Sequence, residues 1–376
     1  MTGSSATEPE NPRLGSRIVG IVGAGTMGSG IAQVGLEAGD EILLHDVDEA
    51  AIEHATDRIR DGLTRRAASL DLDPDTIDDW VDGRLARLRS TVSLDQVGAE
   101  SDVVLEAALE SLELKRTIFR TLDAASAPQT ILATNTSALS IVAIAEATSR
   151  PERVLGLHFF NPAPLMGLVE VVAAPATEAS VVERAVALVE RWGKTAVRSA
   201  DAPGFIVNRV NRPFTIEALR ILESGAASVE EIDEAMRAGG FPMGPFELMD
   251  LAGLDVNLAA ATGVWEGLGR PDRLRPSAIQ ERLVATGRLG RKTGDGFYHY
   301  EPGRRGNVAE EFAGTARTGA ALAAEAIRER IIAAIDAEAR RALDDGVATA
   351  TDIELALRLG AGHPTGPFER ERTGTD

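Results

Sequence analysis

Residues 17–46 read R-I-V-G-I-V-G-A-G-T-M-G-S-G-I-A-Q-V-G-L-E-A-G-D-E-I-L-L-H-D. The apolar run from Arg17 to Val22 predicts a buried strand, and Gly23-Ala24-Gly25-Thr26-Met27-Gly28 follows it at once. Ile31, Val34 and Leu36 then suit a helix, and a second apolar run, Glu41 to His45, ends in Asp46. Alone, G-x-G-x-x-G is a weak signal. With a strand before it, a helix after it and an acidic residue about twenty positions on, it predicts a dinucleotide site. The three glycines then serve a tight turn, close approach of backbone to pyrophosphate, and close packing of helix on strand. The helix N-terminus faces the phosphates. Gly23, Gly25, Thr26, Met27 and Gly28 are the expected contacts, and Asp46 would accept from the adenosine ribose hydroxyls. A 2′-phosphate would be repelled there, and no Arg follows in Val47-Asp48-Glu49, so the expected cofactor is NAD rather than NADP.

Outward from this unit, further strands are expected over 88–93, 103–105, 130–134, 154–160, 168–173 and 196–198, with helices over 50–67 and 141–147. Such alternation predicts an α/β Rossmann-type doubly wound parallel sheet, in which ligands sit beyond the carboxyl ends of the strands. Asp46, Glu106, Asn135 to Ser137 and His158 all fall at or near such ends. Residues 71–82, with Pro74, read as an acidic insertion. Ala202-Pro203-Gly204 reads as a linker, beyond which the pattern is helical until Gly296-Phe297-Tyr298, and Pro213 is expected to bend the first helix.

An internal repeat lies further on. The stretch 217–247, E-A-L-R-I-L-E-S-G-A-A-S-V-E-E-I-D-E-A-M-R-A-G-G-F-P-M-G-P-F-E, is echoed by 338–369, E-A-R-R-A-L-D-D-G-V-A-T-A-T-D-I-E-L-A-L-R-L-G-A-G-H-P-T-G-P-F-E. Gly225 matches Gly346, Ile232 matches Ile353, and Gly-Pro-Phe-Glu closes both. The expected organisation is a disordered tail over 1–16, the dinucleotide domain over 17–203, an all-α C-terminal domain over 204–301, and a linker with a partial second helical copy over 302–376.

Chemistry is expected in residues 154–172, V-L-G-L-H-F-F-N-P-A-P-L-M-G-L-V-E-V-V, where His158 and Glu170 are the only titratable side chains in two apolar runs split by a Pro-rich turn. A buried carboxylate needs a partner. If the two runs are adjacent strands, Glu170 can accept from one ring nitrogen of His158, fixing the tautomer and raising basicity at the other. That describes a general base. Taken alone, Ser137 reads as a helix cap and Asn208 as part of a polar helix face.

Composition bounds the rest. A formal charge of −19 leaves no basic footprint for nucleic acid or an anionic membrane. The chain has no Cys, which excludes disulfides, thiolate metal sites and thiol nucleophiles, and no apolar run approaches the length of a membrane span. A soluble protein in the cytoplasm is the expectation. Of 39 basic residues only Lys115, Lys194 and Lys292 are lysines.

Together the motifs G-A-G-T-M-G, N-T-S-A-L-S, H-F-F-N-P-A-P-L-M, P-G-F-I-V-N-R, G-F-P-M-G-P-F-E-L and K-T-G-D-G-F-Y, in this order, resemble the L-3-hydroxyacyl-CoA dehydrogenase family, 3-hydroxybutyryl-CoA dehydrogenases included. The resemblance implies that His158 takes the proton from the 3-hydroxyl as hydride passes to NAD, that Glu170 orients it, and that Ser137 and Asn208 hydrogen-bond the substrate. It implies cofactor contacts at Asp46, Glu110, Lys115, Ser137, Asn161 and Lys292, and an acyl-CoA thioester as substrate. Two departures stand out: Gly167 where the family has a basic residue, and Gly62, Arg65 and Arg66 where it sets a Ser and a Lys against CoA. Arg65 and Arg66 are then the candidate phosphate contacts. Family members with a second helical copy imply that 320–369 packs against the first copy as an intramolecular pseudo-dimer, the alternative being a homo-oligomer. Other readings are a λ-crystallin-type L-gulonate 3-dehydrogenase, a non-catalytic NAD-binding protein and, more remotely, a 3-hydroxyisobutyrate-type dehydrogenase.

Overall fold

Strand β1 (Ile18–Val22) and β2 (Glu41–His45) are the buried apolar runs on either side of the glycine turn, and β1 lies inside a sheet of eight strands. The others are β3 (Leu88–Thr91), β4 (Val103–Glu106), β5 (Ile131–Thr134), β6 (Val154–Phe159), β7 (Leu168–Ala173) and β8 (Thr195–Ala200), in the order β3-β2-β1-β4-β5-β6-β7-β8. This computed structural model describes residues 17–301, 303–313 and 321–373; the tail expected over 1–16 lies outside them. No helix among the described residues is long and apolar enough to cross a membrane.

Helices α1 (Thr26–Glu37), α2 (Glu49–Ser69) and α3 (Ile77–Leu85) follow the first strands, and α4 (Leu94–Glu100), α5 (Leu112–Ala125), α6 (Ile141–Ala145) and α7 (Ala179–Arg191) follow the later ones. One apolar core joins α1, α2, α3 and α7 to one face of the sheet, and a second joins α4, α5 and α6 to the other. That is the doubly wound arrangement, in which strands buried on both faces read as continuous apolar runs. One expectation needs correction, and one is filled in. The sheet is not wholly parallel: β7 runs antiparallel to β6, because the turn over 160–167 has no crossover helix. The acidic stretch 71–82 is also structured, since Pro74–Thr76 and α3 form there, with Val81 buried and the Arg84 guanidinium 3.3 Å over the Trp80 ring.

Beyond β8 come α8 (Val207–Val210), α9 (Arg212–Glu223), α10 (Val229–Ala238), α11 (Pro245–Ala252), α12 (Leu254–Gly267) and α13 (Ala278–Ala285). Pro213 does not merely bend a helix. It restarts one at the first turn of α9 after a break at Asn211, as a residue with no N–H and a ring aimed at the preceding turn should. The hairpin β9 (Tyr298–Glu301) and β10 (Arg304–Val308) follows, and then α14 (Ala324–Asp344), α15 (Ala350–Ala361) and α16 (Pro367–Thr373).

Helix α14 lays Ile327, Ile331, Ile335 and Ala339 into the same apolar core as α9 and α10. Gly225 and Gly346 end α9 and α14 at φ of 66° and 70°, where only glycine is free of strain. An ion cluster centred on the buried pair Arg209–Glu338 crosses this interface: Arg209 donates to Glu338 at 3.0 Å and to the exposed Asp345 at 2.5 Å, and the half-buried Arg273 donates to Glu338 at 2.7 Å. Removing one member of such a buried pair typically costs about 3–5 kcal/mol, because a charge is left without a partner. The cluster fixes α8, which carries Asn208, against the C-terminal helices.

Candidate active site

At the carboxyl end of β1 the chain turns through Gly23, at φ 104°, where a Cβ would lie 2.7 Å from the Ala107 carbonyl oxygen. Gly28 fits against the same turn, and a Cβ there would stand 1.8 Å from the Gly23 carbonyl oxygen. Gly25, by contrast, faces open space at the N-terminus of α1. An anionic group can therefore approach its backbone unhindered, under the positive end of the helix. Asp46 stands beside this turn and accepts from the Ala24 N–H at 2.8 Å. The surroundings suit a dinucleotide with unmodified ribose hydroxyls. Arg58 of α2 also reaches the turn, donating to the Ala24 carbonyl at 2.6 Å, a contact across thirty-four residues that no local pattern announces.

The antiparallel register sets His158 directly opposite Glu170. Their side chains meet on one face, with His158 Nδ1 2.6 Å from Glu170 Oε2. The carboxylate is fully buried, and its other oxygen accepts from the backbone N–H groups of Ile206 and Val207 at 3.0 and 2.9 Å. Oε1 is already taken by two backbone donors, and a carboxylate oxygen can only accept, so the short contact to Oε2 is met when Nδ1 carries the proton and Nε2 keeps a free lone pair. Phe160 and Phe205 hold the ring, with centroids 4.5 and 5.8 Å away. A histidine that donates to a buried carboxylate and lines a cavity can accept a proton from a group bound there.

That cavity, about 500 Å³, is bounded by Met27 and Ala107 on the dinucleotide side and by Ser137, His158, Asn161 and Asn208 on the other. Glu110 accepts from Thr136 Oγ1 at 2.5 Å and from the Ser137 N–H at 3.1 Å, holding the loop after β5 open to the cavity. Ser137 caps no helix; Ser140 does so for α6, accepting from the Ala143 N–H. Asn208 does not simply face solvent, since its Nδ2 donates to the Ser137 carbonyl at 3.4 Å.

Other expected contacts are more distant. Lys115 is buried and held by Glu106 at 2.7 Å and Glu110 at 3.3 Å, so its ammonium acts on the cavity through Glu110. Lys292 pairs with Asp255, which neighbours the cavity residue Val256. Arg65 and Arg66 lie exposed on α2, Arg66 paired with Glu37 at 3.5 Å, and the structure brings neither to the cavity. A second cavity, about 570 Å³, adjoins the first across Phe160, Asn161 and Asn208. It is lined by residues from both halves of the helical region, among them Leu359–Gly362, which local sequence patterns did not connect to the site.

Residues 18–202 match the family model for the 3-hydroxyacyl-CoA dehydrogenase NAD binding domain, and residues 204–300 and 327–373 match that family's C-terminal domain. The chain belongs to the 3-hydroxyacyl-CoA dehydrogenase family. The 3-hydroxyadipyl-CoA dehydrogenase of Escherichia coli (strain K12) is 46% identical over 294 residues, a match spanning 78% of this chain and 61% of that protein. The mitochondrial hydroxyacyl-coenzyme A dehydrogenase of Rattus norvegicus is 43% identical over 75% of this chain and 91% of its own length. A solved 3-hydroxybutyryl-CoA dehydrogenase from Escherichia coli K12 superposes with a TM-score of 0.85 at 36% identity, covering 96% of this chain and 92% of that one. This dehydrogenase is thus an NAD-dependent oxidoreductase, built as a Rossmann-type sheet followed by a helical domain.

Proposed function

We propose that the dehydrogenase interconverts L-3-hydroxyacyl-CoA and 3-oxoacyl-CoA with His158 as general base, a reading carried by the 2.6 Å contact of His158 Nδ1 with the buried Glu170 in a cavity beside the glycine turn. NAD, when bound, supplies the hydride acceptor. In the oxidative direction His158 Nε2 takes the 3-hydroxyl proton, and Glu170 stabilises the imidazolium so formed. In reduction the same nitrogen returns the proton to the carbonyl oxygen. General base action of this kind is worth about 10² to 10⁴ in rate. Ser137 and Asn208 donate to the reacting oxygen and hold the reacting carbon in place.

Gly23, Gly25, Thr26, Met27 and Gly28 hold the pyrophosphate, Asp46 the ribose, and Glu110, Lys115, Asn161 and Lys292 frame the nicotinamide side. Arg65 and Arg66 meet the CoA phosphates from the surface of α2. The C-terminal helices α14–α16 take the place of a partner subunit, with domains dividing near residues 203 and 302, and the enzyme works in the cytoplasm on fatty-acyl intermediates.

The deciding experiment follows NADH oxidation with acetoacetyl-CoA beside NAD reduction with L-gulonate. Turnover of the thioester and not of the sugar acid is expected. The reverse result transfers the assignment to the λ-crystallin type, and turnover of neither removes the catalytic role.

A further inference from the structure

Arg212 occupies the first turn of α9 and is only 6% exposed. Its Nε is buried without a partner, and among the described residues no carboxylate or carbonyl accepts from its guanidinium. A buried arginine is ordinarily paired, as Arg209 three residues earlier is with Glu338 and Asp345, because an uncompensated charge in an apolar surround is costly. Burial pulls the Arg212 group down to about 10, which still leaves it charged at neutral pH. The cation therefore stands ready for an anion that the protein does not supply.

The place of that anion follows from the cavity. Arg212 lines the second cavity, whose other walls include Met166, Val207, Pro242, Met243, Leu248 and Leu359. Among the described residues no Asp or Glu lines it, and Arg212 is its one charged side chain. The cavity meets the catalytic one at Phe160, Asn161 and Asn208, and none of Met27, Ala107 and Ala108, which border the catalytic cavity beside the glycine turn, lines it. With the dinucleotide on the glycine-turn side, this is the space left for the chain that continues from the reacting carbon. Apolar walls suit methylene groups, and a lone guanidinium among them suits a terminal carboxylate, which it can grip with two parallel N–H donors.

We propose that this dehydrogenase is built for 3-hydroxyacyl-CoA thioesters whose acyl chain ends in a carboxylate, with Arg212 as the residue that receives it. The inference rests on the reaction given under Proposed function and deepens it. A phosphate of CoA could in principle seek the same guanidinium, but it would have to lie in the apolar pocket next to the reacting carbon. The carboxylate of the acyl chain reaches that place with the thioester still directed outward.

The test compares kcat/KM for 3-oxoadipyl-CoA and its uncharged six-carbon counterpart 3-oxohexanoyl-CoA, with NADH, in the natural enzyme and in Arg212→Met and Arg212→Lys, and acetoacetyl-CoA serves as the reference substrate. The natural enzyme is expected to favour the carboxylated chain by on the order of 10²-fold, since a site built around a charged donor rejects a ligand that leaves it unpaired. Arg212→Met should abolish that preference while kcat/KM for the uncharged chain rises, and Arg212→Lys should restore part of it. Absence of any preference in the natural enzyme overturns the inference without need of a variant. An equal loss on both substrates in Arg212→Met also overturns it and assigns Arg212 to CoA or to the fold. If acetoacetyl-CoA itself is not turned over by the natural enzyme, the reaction reading fails, and this inference with it.

Discussion

Replacing Glu170 by Gln probes the proposed His158–Glu170 pair with almost no change in volume. In the structure one carboxylate oxygen accepts from His158 Nδ1 at 2.6 Å and the other from two backbone N–H groups at 3.0 and 2.9 Å. A glutamine offers only one acceptor oxygen. If that oxygen stays with the backbone pair, its NH₂ points at Nδ1 and forces the proton to Nε2, where the ring can no longer accept one from substrate. If it turns to Nδ1, the NH₂ faces two N–H donors, and a buried clash of donors costs about 1–3 kcal/mol for each unsatisfied group. Either way the imidazolium loses its counter-charge, a charged hydrogen bond worth about 1.5–3 kcal/mol. The analogous change in a Ser-His-Asp triad lowers kcat by about 10⁴. For Glu170→Gln with NADH and acetoacetyl-CoA, kcat is expected to fall by about 10² to 10⁴, with NADH affinity by fluorescence titration nearly unchanged. A variant that folds and keeps kcat within about threefold of the natural enzyme would refute the idea that Glu170 sets the tautomer of His158.

Three further outcomes follow from the structure. Asp46→Ser removes the carboxylate beside Ala24 and should raise kcat/KM for NADP relative to NAD at least about tenfold; an unchanged ratio would show that specificity is set elsewhere. His363 is buried, with Nε2 2.8 Å from Asn211 Oδ1 and Nδ1 unpartnered, and burial first, then the nearby Arg370, holds it down at about 3. An unfolded histidine titrates near about 6.5, so this stability is full above that pH and is lost as pH falls towards 3, by about 2 kcal/mol at pH 5. Urea denaturation at pH 7 and pH 5 should show that loss, and His363→Gln should remove it; equal slopes in both proteins would contradict the assignment. A chain ending at Glu301 loses the cover that Ile327, Ile331 and Ile335 give α9 and α10, so light scattering should report self-association absent from the full chain, whereas one oligomeric state in both would count against an intramolecular pseudo-dimer.

Local patterns carried the sheet a long way. The apolar runs at β1, β2, β6 and β7 are as continuous as strands buried on both faces must be, and Gly23 and Gly28 occupy positions where any side chain collides with backbone. The direction of β7 was not legible, because periodicity marks a strand without saying which neighbour it pairs with or in which sense. The meeting of His158 with Glu170 depends on that pairing and on its register, since a slip of one residue would send one side chain to the opposite face. Helix α3 was obscured by its acidic residues: its buried side is little more than Val81.

Other parts of the site depend on tertiary placement alone. Ser137 and Asn208 lie 71 residues apart in sequence and meet through a loop held by Glu110 and a helical turn held by Glu170. Arg212 reads locally as an ordinary cation at a helix start. Its isolation appears only once α15 and the turn at Pro242 close the cavity around it. Arg209, near it in sequence, shows the contrast, for it is equally buried and fully paired.

The central claim is that His158 carries the proton while hydride moves between substrate and nicotinamide. Its most direct test is kcat of His158→Gln for acetoacetyl-CoA reduction, with NADH binding and melting temperature measured on the same preparation. A fall of about 10² to 10⁴ with cofactor binding intact is predicted. Turnover within about threefold of the natural enzyme would contradict it.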